Sequence, residues 1–309
     1  MRKFMLLLAP LALVLAACGG SGAVAATVDG AEITVGDVEG LLQTESGTIT
    51  NEQFAQFLDA EIKRLVMING ALAEYGIEVS EDDIEDEAQQ IYAGQRTGEE
   101  SLDEFVSARG VTEQALLNFA HQSILRELIL DELAAEVPIP SQEQIDQEMQ
   151  VARLQLTTVC ASHILLETEE DAQEVLDLLA GGADFAQTAV ERSTGPSGPN
   201  GGDLGCVSPA EYVPEFRDAT LAAPIGEPYD TIIQSFFGFH VILVTDRTEP
   251  AEEDLPSQDE VVDVMVRRAA TALLDTWYLG LLQSTDITVE ERYGTWAIDP
   301  EPRVIPPQA

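Results

Sequence analysis

The sequence predicts an α+β domain set between the two halves of a helical domain. Three observations lead there. Residues 156–248, a stretch the size of one small domain, read as strand, helices, strands. Before them runs a series of helices opened by capping signals. After them comes a long amphipathic helix, 258–283, with Val261, Val262, Met265, Ala269, Leu273, Leu274, Trp277 and Leu281 on its apolar face. One helix cannot bury such a stripe alone. It is expected to pack back on the N-terminal helices, which makes the α+β segment an insertion.

Each element has its own local warrant. Thr27–Ile33 reads as a small hairpin turning at Asp29-Gly30. Thr34 with Asp37, Thr50 with Gln53, Ser80 with Asp83 and Ser101 with Glu104 are capping boxes or close relatives, and Gly76 and Gly110 close two of the helices. Helix 50–75 repeats Phe54, Phe57, Leu58, Ile62, Leu65 and Val66 at helical spacing. Helix 112–136 does the same with Leu116, Leu117, Ile124, Leu128 and Leu133, and stops at Val137-Pro138-Ile139-Pro140. A shorter helix near 141–151 leads into a strand with Cys160 and His163. Helices at 169–181 and 183–192, the Gly/Pro-rich loop Ser193–Asn200 and a short helix Val213–Ala223 come next. Tyr229–Ile233 and Gly238–Asp246 read as closing strands. An acidic linker, 249–256, precedes the last helix, and the four prolines of 299–309 predict a loose tail. The domains expected are therefore a helical one from 27–155 and 249–298, and an inserted one from 156–248.

The first residues suggest an address. Arg2 and Lys3 precede the apolar run Phe4–Ala17, which is too short for a stable membrane span. Leu15-Ala16-Ala17-Cys18 resembles a bacterial lipobox. That resemblance implies a lipoprotein signal peptide at 1–17, acylation with palmitate at Cys18, and a tether over 18–26. The expected location is the bacterial cell envelope, lipid-anchored to a membrane with the body outside the cytoplasm.

Composition narrows the partners. The chain has a net charge of −41, and loss of Arg2 and Lys3 leaves 13 basic against 56 acidic residues, −43. Such a chain lacks the basic patch that phosphate neutralisation needs, so no nucleic-acid partner is expected. A hydrophobic content of 45% argues against disorder. Beyond Cys18 only Cys160 and Cys206 remain. They are either one disulfide, as an oxidising compartment favours, or two unpaired buried thiols. Two cysteines without CxxC spacing make half a metal site at best, so no metal and no cofactor are expected.

The residues that carry chemistry come in two similar frames, Ser162-His163-Ile164-Leu165-Leu166 and Phe239-His240-Val241-Ile242-Leu243-Val244. A histidine followed by branched apolar residues reads as a strand offering one polar side chain near its start. Two such strands about 75 residues apart allow both imidazoles to lie side by side on one sheet. His121, inside a predicted helix with no partner motif, carries no functional expectation.

In order and spacing, five strings resemble the parvulin family of peptidyl-prolyl cis–trans isomerases. They are Ala161-Ser162-His163-Ile164-Leu165, Ala183-Asp184-Phe185-Ala186, Gly201-Gly202-Asp203-Leu204-Gly205, Pro214-Glu215-Phe216-Arg217-Asp218-Ala219 and Gly238-Phe239-His240-Val241-Ile242-Leu243. The flanking helices, the opening hairpin and the lipobox look like extracytoplasmic foldases of the PrsA and SurA type. The resemblance implies a parvulin domain, an antiparallel sheet with surrounding helices, inserted in an all-α chaperone domain built from the N- and C-terminal segments. It implies that His163 and His240 are the paired catalytic histidines. Phe216 would be the aromatic wall of a proline pocket, with Tyr212 where the family usually has Met and with Leu204 nearby. Ser235 matches a family hydroxyl position, and Asp203 a structural turn residue. One departure stands out. The family places an Asp or Cys in the loop before the Gly-Gly-Asp string, where this chain has Thr194 or Gly195.

The function expected is that of a membrane-anchored foldase. It would isomerise X–Pro bonds and assist the folding of secreted or surface proteins, its clients being unfolded or nascent chains. The alternative is a non-catalytic chaperone whose parvulin domain only binds extended segments. A solute-binding lipoprotein would account for the lipobox and for none of the motifs.

Overall fold

The computed structural model describes residues 22–43 and 49–307; the lipobox and Cys18 lie outside them. The chain divides into two compact units. One runs to Pro138 and resumes at Val266, and the other is Ile139–Met265.

The discontinuous unit begins with strands β1 (Val24–Val28) and β2 (Ala31–Thr34), joined at Asp29 and Gly30, whose φ values of 48° and 81° suit a two-residue hairpin turn. Helices α1 (Val35–Glu39), α2 (Asn51–Tyr75), α3 (Glu81–Gln95), α4 (Leu102–Ser107) and α5 (Glu113–Glu136) follow. Thr34, Thr50 and Ser101 each form a complete capping box. Gly76 ends α2 in the left-handed conformation at φ 68°. The buried face of α2 divides between two clusters. Leu58, Ile62 and Val66 pack with Ala25, Val28 and Val38, whereas Met67 and Ala71 pack with Leu125, Ile129, Ala270 and Leu274.

The other unit opens with α6 (Gln142–Leu156), longer than the sequence suggested, and β3 (Thr158–Leu166). Then come α7 (Glu169–Ala180), α8 (Phe185–Arg192), β4 (Asp203–Val207), α9 (Pro214–Ala222), β5 (Ile233–Ser235) and β6 (Gly238–Thr248). The sheet order is β4-β3-β6-β5, antiparallel throughout. Ile164, Leu166 and Val241 bury one face under α7 and α8. Val159, Ala161, Ile242 and Val244 bury the other against α9.

Helix α10 (Gln258–Ser284) contains the division between the units, at Met265/Val266. Strands β7 (Ile287–Val289), β8 (Thr295–Ala297) and β9 (Arg303–Ile305) close the chain. β7 pairs with β1, so the helical unit holds a three-stranded sheet, β2-β1-β7, and a β8–β9 hairpin besides its helices.

Three expectations need correction. The tail from 299 is anchored at its centre, because Arg303–Ile305 pairs with β8 and Val304 is buried in the α2 cluster. Tyr229–Ile233 is not a continuous strand, since regular pairing to β6 begins only at Ile233. Upstream, Pro228 has no N–H to offer a ladder, and the segment touches β6 by single bridges at Ile225 and Pro228. The boundary placed at 155/156 lies instead at 138/139: Ser208 Oγ donates to the Leu154 carbonyl at 2.7 Å, and Arg153 pairs with Glu252 at 2.6 Å, tying α6 to the sheet unit.

Candidate active site

Strand alternation brings the site together. Side chains on β3 and β6 point to opposite faces in turn. His163 falls in the set of Val159 and Ala161, and His240 in that of Ile242 and Val244, so both imidazoles share the α9 face. The register pairs Leu165 with His240 and His163 with Ile242, a diagonal offset of two residues. The rings stack at 5.2 Å between centroids, with Nδ1 of one 3.0 Å from Nδ1 of the other.

Hydrogen-bond accounting limits where the protons lie. Ser235 Oγ accepts from the Phe237 N–H at 3.1 Å and lies 2.7 Å from His240 Nε2. Two proton orders fit these contacts, since the hydroxyl can give its proton to Nε2 or accept from an Nε2–H. In the first order His240 carries its proton on Nδ1 and donates to His163 Nδ1. His163 is then the Nε2–H tautomer, and the reverse order places its proton on Nδ1 instead. Its Nε2 faces Gly195, where a Cβ would stand 3.5 Å away.

Both rings are buried, His163 at 8% and His240 at 3% exposure. Burial, then the neighbouring His240, pushes the His163 pKa down to about 4, and burial pushes His240 down as well. The pair is neutral at pH 7. The unfolded chain takes up these protons near pH 6.5 and the folded one only lower, so stability is full above about 6.5 and declines as pH falls toward 4. For His163 the loss amounts to about 3 kcal/mol, at ~1.4 kcal/mol per pH unit. Urea midpoints measured from pH 7 to pH 4 should show this decline, and His163→Gln should flatten it.

The other site residues assemble from α9 and its approach. The Phe216 ring, 4% exposed, meets His163 edge-on at 5.5 Å and His240 at 5.2 Å. Tyr212 meets Phe216 at 4.9 Å, and Leu204 joins the same cluster from β4. The Tyr212 hydroxyl is enclosed and has no hydrogen-bond partner among the described residues. Burial, with Glu211 and Asp203 nearby, raises its pKa.

The loop before the Gly-Gly-Asp string holds a residue that sequence alone left open. Thr194 donates its N–H to the Leu165 carbonyl at 2.8 Å and its hydroxyl to the same oxygen at 3.1 Å. Ser193 Oγ accepts from Leu165 N and Gly195 N. With its neighbours so tied, Gly195 is the residue left beside the His163 ring. Only a contact distance could decide between positions 194 and 195. Gly202, at φ 82°, donates nothing through a side chain but permits close approach: a Cβ there would lie 2.4 Å from the His163 carbonyl. Asp203 accepts from Gly205 N at 2.8 Å, as a turn residue does. Cys160 and Cys206 face each other on β3 and β4 and are joined by a disulfide. His121 belongs to α5 of the other unit, and no group of three or more metal-ligating side chains is found among the described residues.

Comparison with known proteins adds the family. The PPIC-type PPIASE domain description matches residues 147–248. Foldase protein PrsA of Halalkalibacterium halodurans is 32% identical over 308 residues, 93% of this chain and 89% of that one. Foldase protein PrsA of Oceanobacillus iheyensis is 34% identical over 222 residues, 70% of this chain and 71% of that one. Among solved structures, the peptidylprolyl isomerase PrsA of Bacillus cereus aligns at 21% identity and a TM-score of 0.39, over 83% of this chain and 95% of that one. From the two sequence matches and the domain within them, the chain belongs to the PrsA foldases and carries a parvulin-type peptidyl-prolyl isomerase domain.

Proposed function

We propose that the protein isomerises X–Pro bonds in secreted or surface proteins and so assists their folding, held at the membrane by lipid on Cys18 with its body outside the cytoplasm. The observation that carries the catalytic reading is the neutral imidazole pair, 3.0 Å apart, against the edge of Phe216. Rotation about an X–Pro bond meets a barrier near 20 kcal/mol because amide resonance is lost at the twisted geometry. No bond is made or broken. An apolar surface that holds the pyrrolidine ring, and a donor that favours the twisted amide over the planar one, are sufficient. A ~10⁴-fold acceleration corresponds to only about 5.4 kcal/mol. In this reading Phe216, Tyr212 and Leu204 form the apolar wall, and His163 Nε2–H is the donor. His240 and Ser235 hold the tautomer. The anchor rests on the lipobox at Leu15–Cys18.

A non-catalytic chaperone is the second reading, and Gly195 favours it. No carboxylate or thiol stands beside His163 Nε2 from that position to orient it. Exchange spectroscopy on an Ala–Pro peptide separates the two. The isomerase reading expects exchange faster than the uncatalysed rate, and Ser235→Ala to lower kcat/KM about fivefold, since one neutral hydrogen bond contributes ~1 kcal/mol. The chaperone reading expects no acceleration by the wild-type protein together with suppressed aggregation of an unfolded client.

A further inference from the structure

The most exposed large apolar residue among those described is Phe236, at 96%, and its neighbour Phe237 is 63% exposed. They form the turn between β5 and β6, where Ser235 pairs with Gly238. Their rings meet edge to face at 5.7 Å. Two open phenylalanines are costly to display in water, and exposed apolar groups of this kind mark contact sites. The turn is also coupled to the histidines. The Phe237 N–H donates to Ser235 Oγ, which bonds His240 Nε2. His240 is only two residues along β6 from Gly238, about 7 Å of extended chain. A side chain next to a proline held at the imidazoles therefore reaches the turn.

Charge decides what kind of side chain fits. β3 runs antiparallel to β6 and pairs Leu166 with Phe239, so Glu167 emerges at the end of the sheet where the phenylalanine turn lies. Gly238 confirms the closeness, as a Cβ there would be 2.5 Å from the Leu166 carbonyl. Glu169, Glu170 and Asp171 follow, exposed like Glu167. Residues 139–265 hold four arginines and no lysine against 25 carboxylates, a net of −21. Three of those arginines pair with Glu252, Glu174 and Asp218, and Arg247 donates to the Ala223 carbonyl. None of these four arginines is left unpartnered to meet an acidic client. A lysine or arginine matches both features, its methylene stem on the rings and its charge toward the carboxylates.

We propose that the Phe236–Phe237 turn is a side-chain subsite that selects a lysine or arginine beside the client proline and disfavours an acidic residue there. The proposal deepens the isomerase reading and rests on its placement of the proline. The test compares short peptides with Lys, Arg, Leu, Ala or Glu before proline, by exchange rate and by binding from chemical-shift titration of the protein. The Lys peptide is expected to exceed the Glu peptide about tenfold in kcat/KM at low salt, a gap that narrows as ions screen the surface charge. Phe236→Ser with Phe237→Ser should weaken binding of the Lys peptide at least threefold, by loss of cation–π and stem contact. Glu167→Gln with Glu170→Gln should shrink the Lys-to-Glu ratio. Equal values for Lys and Glu, a Leu preference over Lys, or a ratio indifferent to both double variants would overturn the subsite. If no peptide exchanges faster than the uncatalysed rate, the isomerase reading fails separately. The binding ratios then still decide the subsite, with Lys above Glu for it and equality against it.

Discussion

Phe216→Ala is expected to lower kcat/KM for an X–Pro peptide more than tenfold. The ring is 4% exposed and touches three site residues edge-on: His163, His240 and Tyr212. As the wall that would hold the pyrrolidine ring, it needs to supply only about 1.4 kcal/mol of transition-state binding for its loss to cost tenfold. The same ring is core. It packs with Val159, Ala161, Ile242 and Val244, and its removal costs about 3–5 kcal/mol of stability through the cavity left behind. Phe216→Leu separates the effects. It keeps most of the apolar volume, at a cost of about 1.5 kcal/mol or less, yet presents no ring edge to the histidines. Circular dichroism should find Phe216→Leu folded at a temperature where its activity is already several-fold down. A folded Phe216→Ala protein with activity within twofold of wild type would contradict the assigned wall.

The second large effect is the disulfide. Cys160→Ser with Cys206→Ser should lose about 4 kcal/mol, because the bridge closes a loop with a sequence separation of 46 in the unfolded chain. The bridge joins β3, which carries His163, to the edge strand β4, which carries Leu204. Cys206 is exposed, so reductant in the buffer should reproduce the loss. Urea midpoints of wild type with and without reductant, beside the double serine variant, measure it. A change under about 0.5 kcal/mol would show that the unfolded chain is constrained without the bridge.

What the sequence made legible follows from signal length. The capping boxes at Thr34, Thr50 and Ser101 and the long apolar stripe of α2 repeat over enough residues to be read. The histidine frames were legible because a polar residue at the head of an apolar run reads as a strand, and the period of two fixes its face once two strands pair. β7, β8 and β9 were not, since three residues are too few to show a period of two. Their apolar members, Ile287, Val289, Trp296 and Val304, acquire meaning only when packed on the α2 cluster. The prolines at 224 and 228 outweigh the apolar string that follows them, so regular pairing waits until Ile233. Gly195 illustrates the remaining limit: nothing in its neighbours' identities says which of them faces an imidazole.

In the proposed site a neutral histidine pair, not a titrating one, forms the floor of the isomerase. Exchange spectroscopy on one Ala–Pro peptide between pH 8 and pH 5.5 tests it most directly. With His163 ionising only near pH 4, acceleration over the uncatalysed rate should be present and level across that range. Exchange no faster than without protein, or acceleration that falls away with an ordinary histidine titration near pH 6.5, would contradict the account.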